Sequence, residues 1–395
     1  MEYILFDSAD RDRLLPFTHT RPVADIRCGI LTMRERWEKL LGGTTSTSTL
    51  TENYLQKVYQ FNESNDNLYL NGAVFASSQL LEAINTLAMG KALAKDGLVI
   101  AARIAAHEYS ISDFHERIQS LSQLQYDGPV YSLKNVWDIF SFNDRALRDD
   151  YALITKSRTS TTLPDGVTVA GKENLFIEEG AKIYAGSIIN AATGPVYIGR
   201  DTEILEGTMM RGPIAVCEHA VVKMGAKLYG ATTIGPGCKV GGEINNVVFF
   251  ANSNKAHDGY LGNAVIGEWC NLGADTNCSN LRNNYDEIKI WDEAARKSVK
   301  TGLTFCGLIM GDHSKCGINT MFNTGTVVGV SCNLFGGGFP EKFVSSFSWG
   351  GSEGITVYDF NRAMETANRM MGRRCKQLSE GETEMYRYIF DHFRK

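Results

Sequence analysis

From Ile198 onward, hydrophobic side chains recur every six residues: Ile198, Ile204, Met210, Val216, Val222, Leu228, Ile234 and Val240. Four residues after each anchor stands a small or aliphatic residue (Thr202, Thr208, Ile214, Ala220, Ala226, Thr232, Cys238, Ile244). The position before that is mainly a turn former or polar, as in Asp201, Gly207, Pro213, His219, Gly225 and Gly237. One flat strand face per six residues, closed by a tight corner, predicts triangular coils of three such units. Stacked coils then pair as parallel strands around a thin apolar column. An antiparallel sandwich would instead show period two, with turns at irregular intervals. The fold expected for residues 165–345 is therefore a left-handed parallel β-helix of hexapeptide repeats. The pattern breaks at Asn246–Asn263, resumes at Ile266, Leu272 and Cys278, and breaks again from about Asn280 to Leu308. It ends through Met310, Cys316, Phe322, Val328 and Leu334. Both breaks are expected to be loops that leave the solenoid, and such insertions commonly carry function.

The first half shows a different alternation. Tyr3–Asp7 reads as a short apolar strand, and Thr32-Met33-Arg34-Glu35 as a capping box opening a helix toward Leu41. After the Thr/Ser loop Thr44–Thr49, Asn67–Phe75 reads as a strand ending in a turn. Ser77 or Ser78 would cap a helix carrying Leu80, Leu81, Ile84, Leu87 and Ala88. Asp96-Gly97 turns the chain into a buried strand, Leu98–Ala102. Strand–helix alternation of this kind predicts an α/β domain over residues 1–155. The Ser/Thr-rich stretch Lys156–Gly166 is its linker to the solenoid. Past Gly351 helical spacing returns at Phe360, Ala363, Ala367 and Met370–Met371, and a further helix from Glu382 to Phe393 completes a helical tail over 355–395.

Composition narrows the chemistry. At 395 residues, 43% apolar and 22% charged, the chain has room for two cores. A net charge of −5 offers no basic field for nucleic acid. The opening MEYILFDSADRDR meets charge at Asp7, so no signal peptide or membrane span is expected and the protein reads as cytoplasmic. None of the nine cysteines form a CxxC pair; Cys238, Cys270, Cys278, Cys316 and Cys332 fall at inward positions, where Cys acts as a small hydrophobe. His219 and His313 fall at corners and read as solvated. His257 differs: it stands outside the hexad register, between Lys255 and Asp258 with Tyr260 three residues on, and is the candidate base. Trp269, at a corner otherwise small or polar, reads as an exposed subunit contact or ligand wall. Arg369, Arg373, Arg374 and Lys376 read as a solvated helix face, and Gly336–Gly338 as a run that turns a coil corner or ends the solenoid.

The segment His257, Tyr260, Leu261, Gly262, Asn263, Ala264, Ile266 and Gly267, followed by Asn271, Leu272, Gly273 and Ala274, resembles the acetyltransferase domain of the bifunctional enzymes that make UDP-N-acetylglucosamine. Those enzymes acetylate glucosamine-1-phosphate and then transfer uridylyl. The resemblance implies His257 as general base, Tyr260 and Asn271 as sugar-phosphate ligands, and Ala274 and Asn280 as acetyl-CoA contacts. It also implies a homotrimer whose acyl site lies between neighbouring solenoids. Two positions depart from the family: its coenzyme-binding Ser falls near Ile318, and a phosphate-binding Lys falls near Val247. Lys289 or Lys255 would have to replace that lysine.

Upstream, Leu14-Leu15-Pro16-Phe17-Thr18-His19-Thr20-Arg21-Pro22-Val23 resembles the opening of sugar nucleotidyltransferases, with Arg13 and Arg21 where nucleotide-binding basic groups would stand. Ser8-Ala9-Asp10-Arg11-Asp12 replaces the family's glycines, and Ala73 its metal-binding Asp. Asp7, Asp10, Asp12 or Asp25 would be left to hold Mg²⁺ with UTP or dTTP, and the metal ligand set stays open. The activity implied is acetyl-CoA-dependent N-acetylation of an amino-sugar 1-phosphate, coupled to nucleotidyl transfer. The rival readings are a sugar-1-phosphate nucleotidyltransferase whose solenoid only trimerises, and a non-catalytic scaffold that binds nucleotide sugars. A scaffold has no need of His-x-x-Tyr beside an interrupted rung.

Overall fold

The computed structural model describes residues 1–106 and 111–394. The chain divides into two compact units: Met1–Ile26, Leu31–Val136 and Glu380–Tyr388 form the first, and Arg27–Ile30, Trp137–Ser379 and Ile389–Lys395 the second.

The first unit is built on a six-stranded sheet of β1 (Glu2–Phe6), β2 (Ser48–Leu50), β3 (Asn67–Asn71), β4 (Lys91–Lys95), β5 (Leu98–Ile104) and β6 (Ser122–Gln125), in the order β2-β1-β3-β5-β4-β6. Strand β1 runs parallel to both β2 and β3, whereas β5 runs antiparallel to β3 and β4. Every residue of β3 is buried, as expected of a strand covered on both faces. Side chains alternate accordingly. Leu5, Leu68, Leu70 and Ile100 pack with Leu80 and Ile84 of helix α2 (Ser78–Asn85). Ile4, Phe6, Tyr69 and Val99 pack on the other face with Phe114 and Ile118 of α3 (Ile111–Ser120). The capping box opens α1 (Met33–Leu40): the Glu35 N–H donates to Thr32 Oγ1 at 3.1 Å and the Thr32 N–H to Glu35 Oε2 at 2.6 Å. Ser77 caps α2 through the Leu80 N–H at 3.2 Å, and that helix stops at Asn85, short of Leu87.

The second unit is a parallel β-solenoid of about 10 turns. Its three faces begin with Thr168–Ala170, Leu175–Ile177 and Lys182–Ile183, and later coils repeat them. The hexad anchors all point inward: Ile198, Ile204, Met210, Val216, Val222, Leu228, Ile234 and Val240 are buried in one continuous cluster that extends through Ile266, Leu272, Cys316 and Leu334. Regular coils repeat every 18 residues, as in the pairs Val221–Lys239 and Lys315–Asn333. Helices α4 (Asp138–Ser141) and α5 (Asn143–Thr155) belong to this unit although they precede the change expected at residue 155. The buried Asn143 amide donates to Ala231 O at 2.7 Å and accepts from the Gly29 N–H at 2.7 Å. Helices α6 (Phe360–Gly372) and α7 (Glu380–Phe393) close the chain. No helix among the described residues is long and apolar enough to cross a membrane.

The two breaks in the hexad pattern have opposite causes. Asn246–Asn263 does not leave the solenoid, contrary to the reading of it as a loop. It forms strands Glu243–Phe249, Asn254–Lys255 and Tyr260–Ile266 of coils that are too short for the six-residue step: Lys227 pairs with Glu243 and Thr233 with Val248, 16 and 15 residues apart. The two longer strands bend at Asn246 and Asn263, whose φ angles of 55° and 46° are ones asparagine tolerates. The second break is a true excursion. Val265 pairs with Ile309, 44 residues on, and the intervening chain holds an antiparallel hairpin, Lys289–Asp292 with Lys297–Lys300.

Because the inward anchors are buried in one continuous apolar cluster, truncating one of them leaves a void. Leu228→Ala is expected to cost about 3 kcal/mol, read as a lowered urea midpoint of the solenoid transition.

Candidate functional site

The shortened coil makes a notch. At the ridge joining the third face to the first, regular corners hold four residues, such as Lys223–Ala226 between strands Val221–Val222 and Lys227–Tyr229. Between Lys239–Val240 and Glu243–Phe249 only Gly241 and Gly242 remain. A Cβ on Gly241 would lie 2.5 Å from Ala256 O, and one on Gly242, at φ +74°, 2.8 Å from Gly259 O. Glycine at both positions lets the next corner, Ala256–Gly259, close against the backbone. Above the gap stand Lys223 and Met224; below it stand Ala256, His257 and Asp258, then Ala274 and Asp275. Together they line an open cleft of about 490 Å³.

His257 is exposed in this cleft, and Ala274 lies one corner below it. The structure therefore brings these two candidates together, and it adds Lys223, which the sequence reading missed. Lys223 precedes a regular Gly225-Ala226 corner 34 residues upstream, so only the stacking of corners puts it beside His257.

The remaining candidates lie elsewhere. Tyr260 and Asn280 meet on the first face, where the Asn280 amide donates to Tyr260 Oη at 3.0 Å and to Asn263 Oδ1 at 2.7 Å. Partial burial raises the Tyr260 phenol, against hydrogen bonds from Asn245 and Asn280. Asn271 lies on the third face, accepting from the Asn254 amide at 3.4 Å. Lys289 is exposed on the excursion hairpin, opposite Lys300.

Lys255 cannot serve as a surface phosphate ligand. It occupies an inward position between Val240 and Leu272, is 1% exposed, and donates through Nζ to the carbonyls of His257 (2.8 Å), Asp258 (3.1 Å) and Gly241 (3.4 Å). Burial pushes its ammonium down to about 8, opposed by the charges of Asp258 and Asp275.

Two corner readings also change. His313 is buried rather than solvated, and Trp269 is covered rather than exposed. Their rings stack at 6.2 Å, and the Arg374 guanidinium sits 5.6 Å from the indole centroid while bonding Asn252 at 2.6 Å. His219 is exposed as expected, and Cys238, Cys270, Cys278, Cys316 and Cys332 are all buried.

The first unit has its own cleft, of about 520 Å³, where Ser8, Ala9 and Asp10 leave β1 and Asn71 ends β3. Asp96, His115, Glu116, Gln119 and Lys134 complete its polar lining. Ser8 is buried, and its Oγ has no hydrogen-bond partner among the described residues. Arg13 and Arg21, the expected phosphate pair, do not line this cleft. Arg13 turns to Asp10 and Asn135, and Arg21 is buried. The reason is the loop: instead of an open glycine turn, Arg11–Leu14 coils as a 3-10 turn. The Arg11 guanidinium is buried against Asp7 Oδ2 (3.1 Å) and Tyr54 Oη (3.0 Å).

The carboxylates expected to hold Mg²⁺ are largely engaged. Burial pushes the Asp7 carboxyl up, opposed by Arg11, Thr51 and the Val23 N–H, and Asp25 pairs with Arg34 at 2.7 and 2.8 Å. No cluster of three or more metal-binding side chains exists among the described residues; of the four expected carboxylates only Asp10 lines the cleft, beside Asp96 and Glu116. These residues do not form a metal cage.

Residues 3–159 match the family described as sugar nucleotidyl transferase. The chain is 28% identical over 221 residues to a bifunctional sugar-1-phosphate nucleotidylyltransferase/acetyltransferase of Sulfurisphaera tokodaii, covering 56% of this chain and 48% of that one. It is 23% identical over 228 residues to the bifunctional protein GlmU of Synechococcus elongatus (52% and 46%), and 35% identical over 91 residues to that of Methanocaldococcus jannaschii (23% and 21%). The chain thus spans about half the length, or less, of the curated relatives it matches. Its relatives are named transferases, and it is similar to the GlmU-like bifunctional enzymes.

Lys255 has a lower pKa folded than unfolded, so the unfolded chain holds the extra proton between about pH 8 and the ordinary lysine value. Stability from this site must therefore rise with pH across that window. Relative to Lys255→Met, the wild type should gain about 1 kcal/mol between pH 8 and pH 9, measured by urea denaturation at each pH. A flat difference would mean that the ammonium is not desolvated.

Proposed function

We propose that the solenoid transfers an acetyl group from acetyl-CoA to the amine of an amino-sugar 1-phosphate of the glucosamine-1-phosphate kind. The observation that carries this reading is the notch at Gly241-Gly242, where an exposed imidazole, a lysine and a small corner residue share one cleft. In the proposed reaction His257 takes a proton from the sugar ammonium as general base. The freed amine attacks the thioester carbonyl; the C–N bond forms, the nitrogen sheds its second surplus proton, the C–S bond breaks, and of the two protons released one leaves with the coenzyme as its thiol and the other passes to solvent. Lys223 is assigned the sugar phosphate, in place of Lys255 and Lys289, and Ala274 leaves room for the thioester.

Tyr260 and Asn271 are proposed substrate ligands on the two faces that diverge from the His257 ridge. One triangular coil cannot close both around a single molecule. A homotrimer, in which a neighbouring solenoid faces the ridge, would supply the missing wall.

For the first unit the proposal is binding of a nucleoside triphosphate, UTP or dTTP, in the cleft beyond β1 and β3. Ligands in α/β sheets lie outside the carboxyl ends of parallel strands, and the Lys134 side chain, with the buried Ser8 hydroxyl that lacks a partner among the described residues, suits a phosphate. A divalent ion would enter on the triphosphate beside Asp10. The match of residues 3–159 to sugar nucleotidyl transferases supports nucleotidyl transfer as the second activity.

His257→Ala is expected to lower acetyl transfer by about two to four orders of magnitude, followed as thiol release from acetyl-CoA with glucosamine-1-phosphate. The variant should still sediment as a trimer. Undiminished turnover would remove the assignment. For the nucleotide cleft, calorimetry should detect UTP or dTTP binding that weakens about tenfold in Lys134→Ala, the loss of one charge-assisted contact. Absence of binding to the wild type by any common nucleoside triphosphate would leave this unit a structural remnant.

A further inference from the structure

The inward rows of the solenoid are apolar for a plain reason: a charge there loses its water. Along the third face the inward residues run Val222, Val240, Lys255, Leu272 and Cys316. A lysine thus interrupts the column in the coil that carries His257, two residues from it. Such a placement persists only if every N–H of the ammonium finds an acceptor. Here three carbonyl oxygens supply them, and two belong to His257 and Asp258.

The neighbouring corners need no such help. Lys223–Ala226 and Gly273–Thr276 each close with a backbone hydrogen bond between their ends, Ala226 N to Lys223 O at 3.2 Å and Thr276 N to Gly273 O at 3.3 Å. Among the described residues no equivalent bond closes Ala256–Gly259. This corner also departs in conformation, with Gly259 at φ +110°. It is held instead between the Gly242 backbone on one side and the Lys255 ammonium beneath it.

We infer that Lys255 is the positioning residue of the acyl-transfer site: its buried ammonium, hydrogen-bonded to the main-chain carbonyls of His257 and Asp258, fixes the corner that aims the base into the cleft. The inference rests on the proposed role of His257. Lys255 itself touches no substrate; it acts through the backbone of its neighbour.

The test uses the full-length protein with Lys255→Met, assayed well below its melting temperature. Misaligning a reacting group by about 1 Å can cost about a hundredfold, so kcat should fall by one to two orders of magnitude while KM for acetyl-CoA stays within about twofold. Hydrogen exchange of the Ala256–Gly259 amides should quicken by about tenfold or more, with Val221–Val222 unchanged, as for a local rather than global opening. Lys255→Gln, which keeps two donors, should fall between wild type and Lys255→Met, and is read the same way if the Met variant does not fold. Wild-type exchange in the corner, or exchange that quickens equally in every coil, overturns the inference. Undiminished turnover in His257→Ala would instead overturn the reading on which it rests.

Discussion

Parallel strands stacked in a solenoid are locked in register by hydrogen bonds to the coils above and below, so a coil can change length only at its corners. The rest of the second unit follows from that constraint. Loss of two residues at Gly241-Gly242 and one at Asn246 cannot be spread along the faces. It appears as a notch in one ridge and as two strands that run through a bend. Added residues obey the same rule, and the excursion before Leu308 leaves between two faces and returns with the inward rows intact.

The notch gives the ridge its chemistry. A regular four-residue corner would fill the space with side chains, as Met224 and Ile318 do at theirs. Removing two residues leaves a floor of bare backbone with the residues of adjacent corners as walls. His257 and Lys223 line one cleft around a gap that neither creates.

Both units also bury cations, with different consequences. Arg11 fills the turn after β1 and is paired with Asp7, so a segment that could have cradled phosphates is packed instead. Lys255 is capped by neutral carbonyls rather than by a carboxylate, which leaves it an expensive charge with a depressed pKa. Arg11 ties down the turn after β1, whereas Lys255 ties down the corner that holds the proposed base.

The six-residue step was enough to predict the coil, its inward anchors and the burial of five cysteines, because each depends on side-chain polarity repeating along the chain. The capping box at Thr32 and the Ser77 cap were equally legible, being local. What the hexad pattern could not distinguish was a coil that shortens from a coil that is left, since both erase the same periodicity; Asn246–Asn263 and Asn280–Leu308 look alike until strand register is known. The direction of Lys255, the company of Lys223, and the cover over Trp269 and His313 were likewise settled by tertiary structure alone. Each depends on which corner stacks on which, and that is set by how many residues each corner holds rather than by the polarity pattern of any one coil.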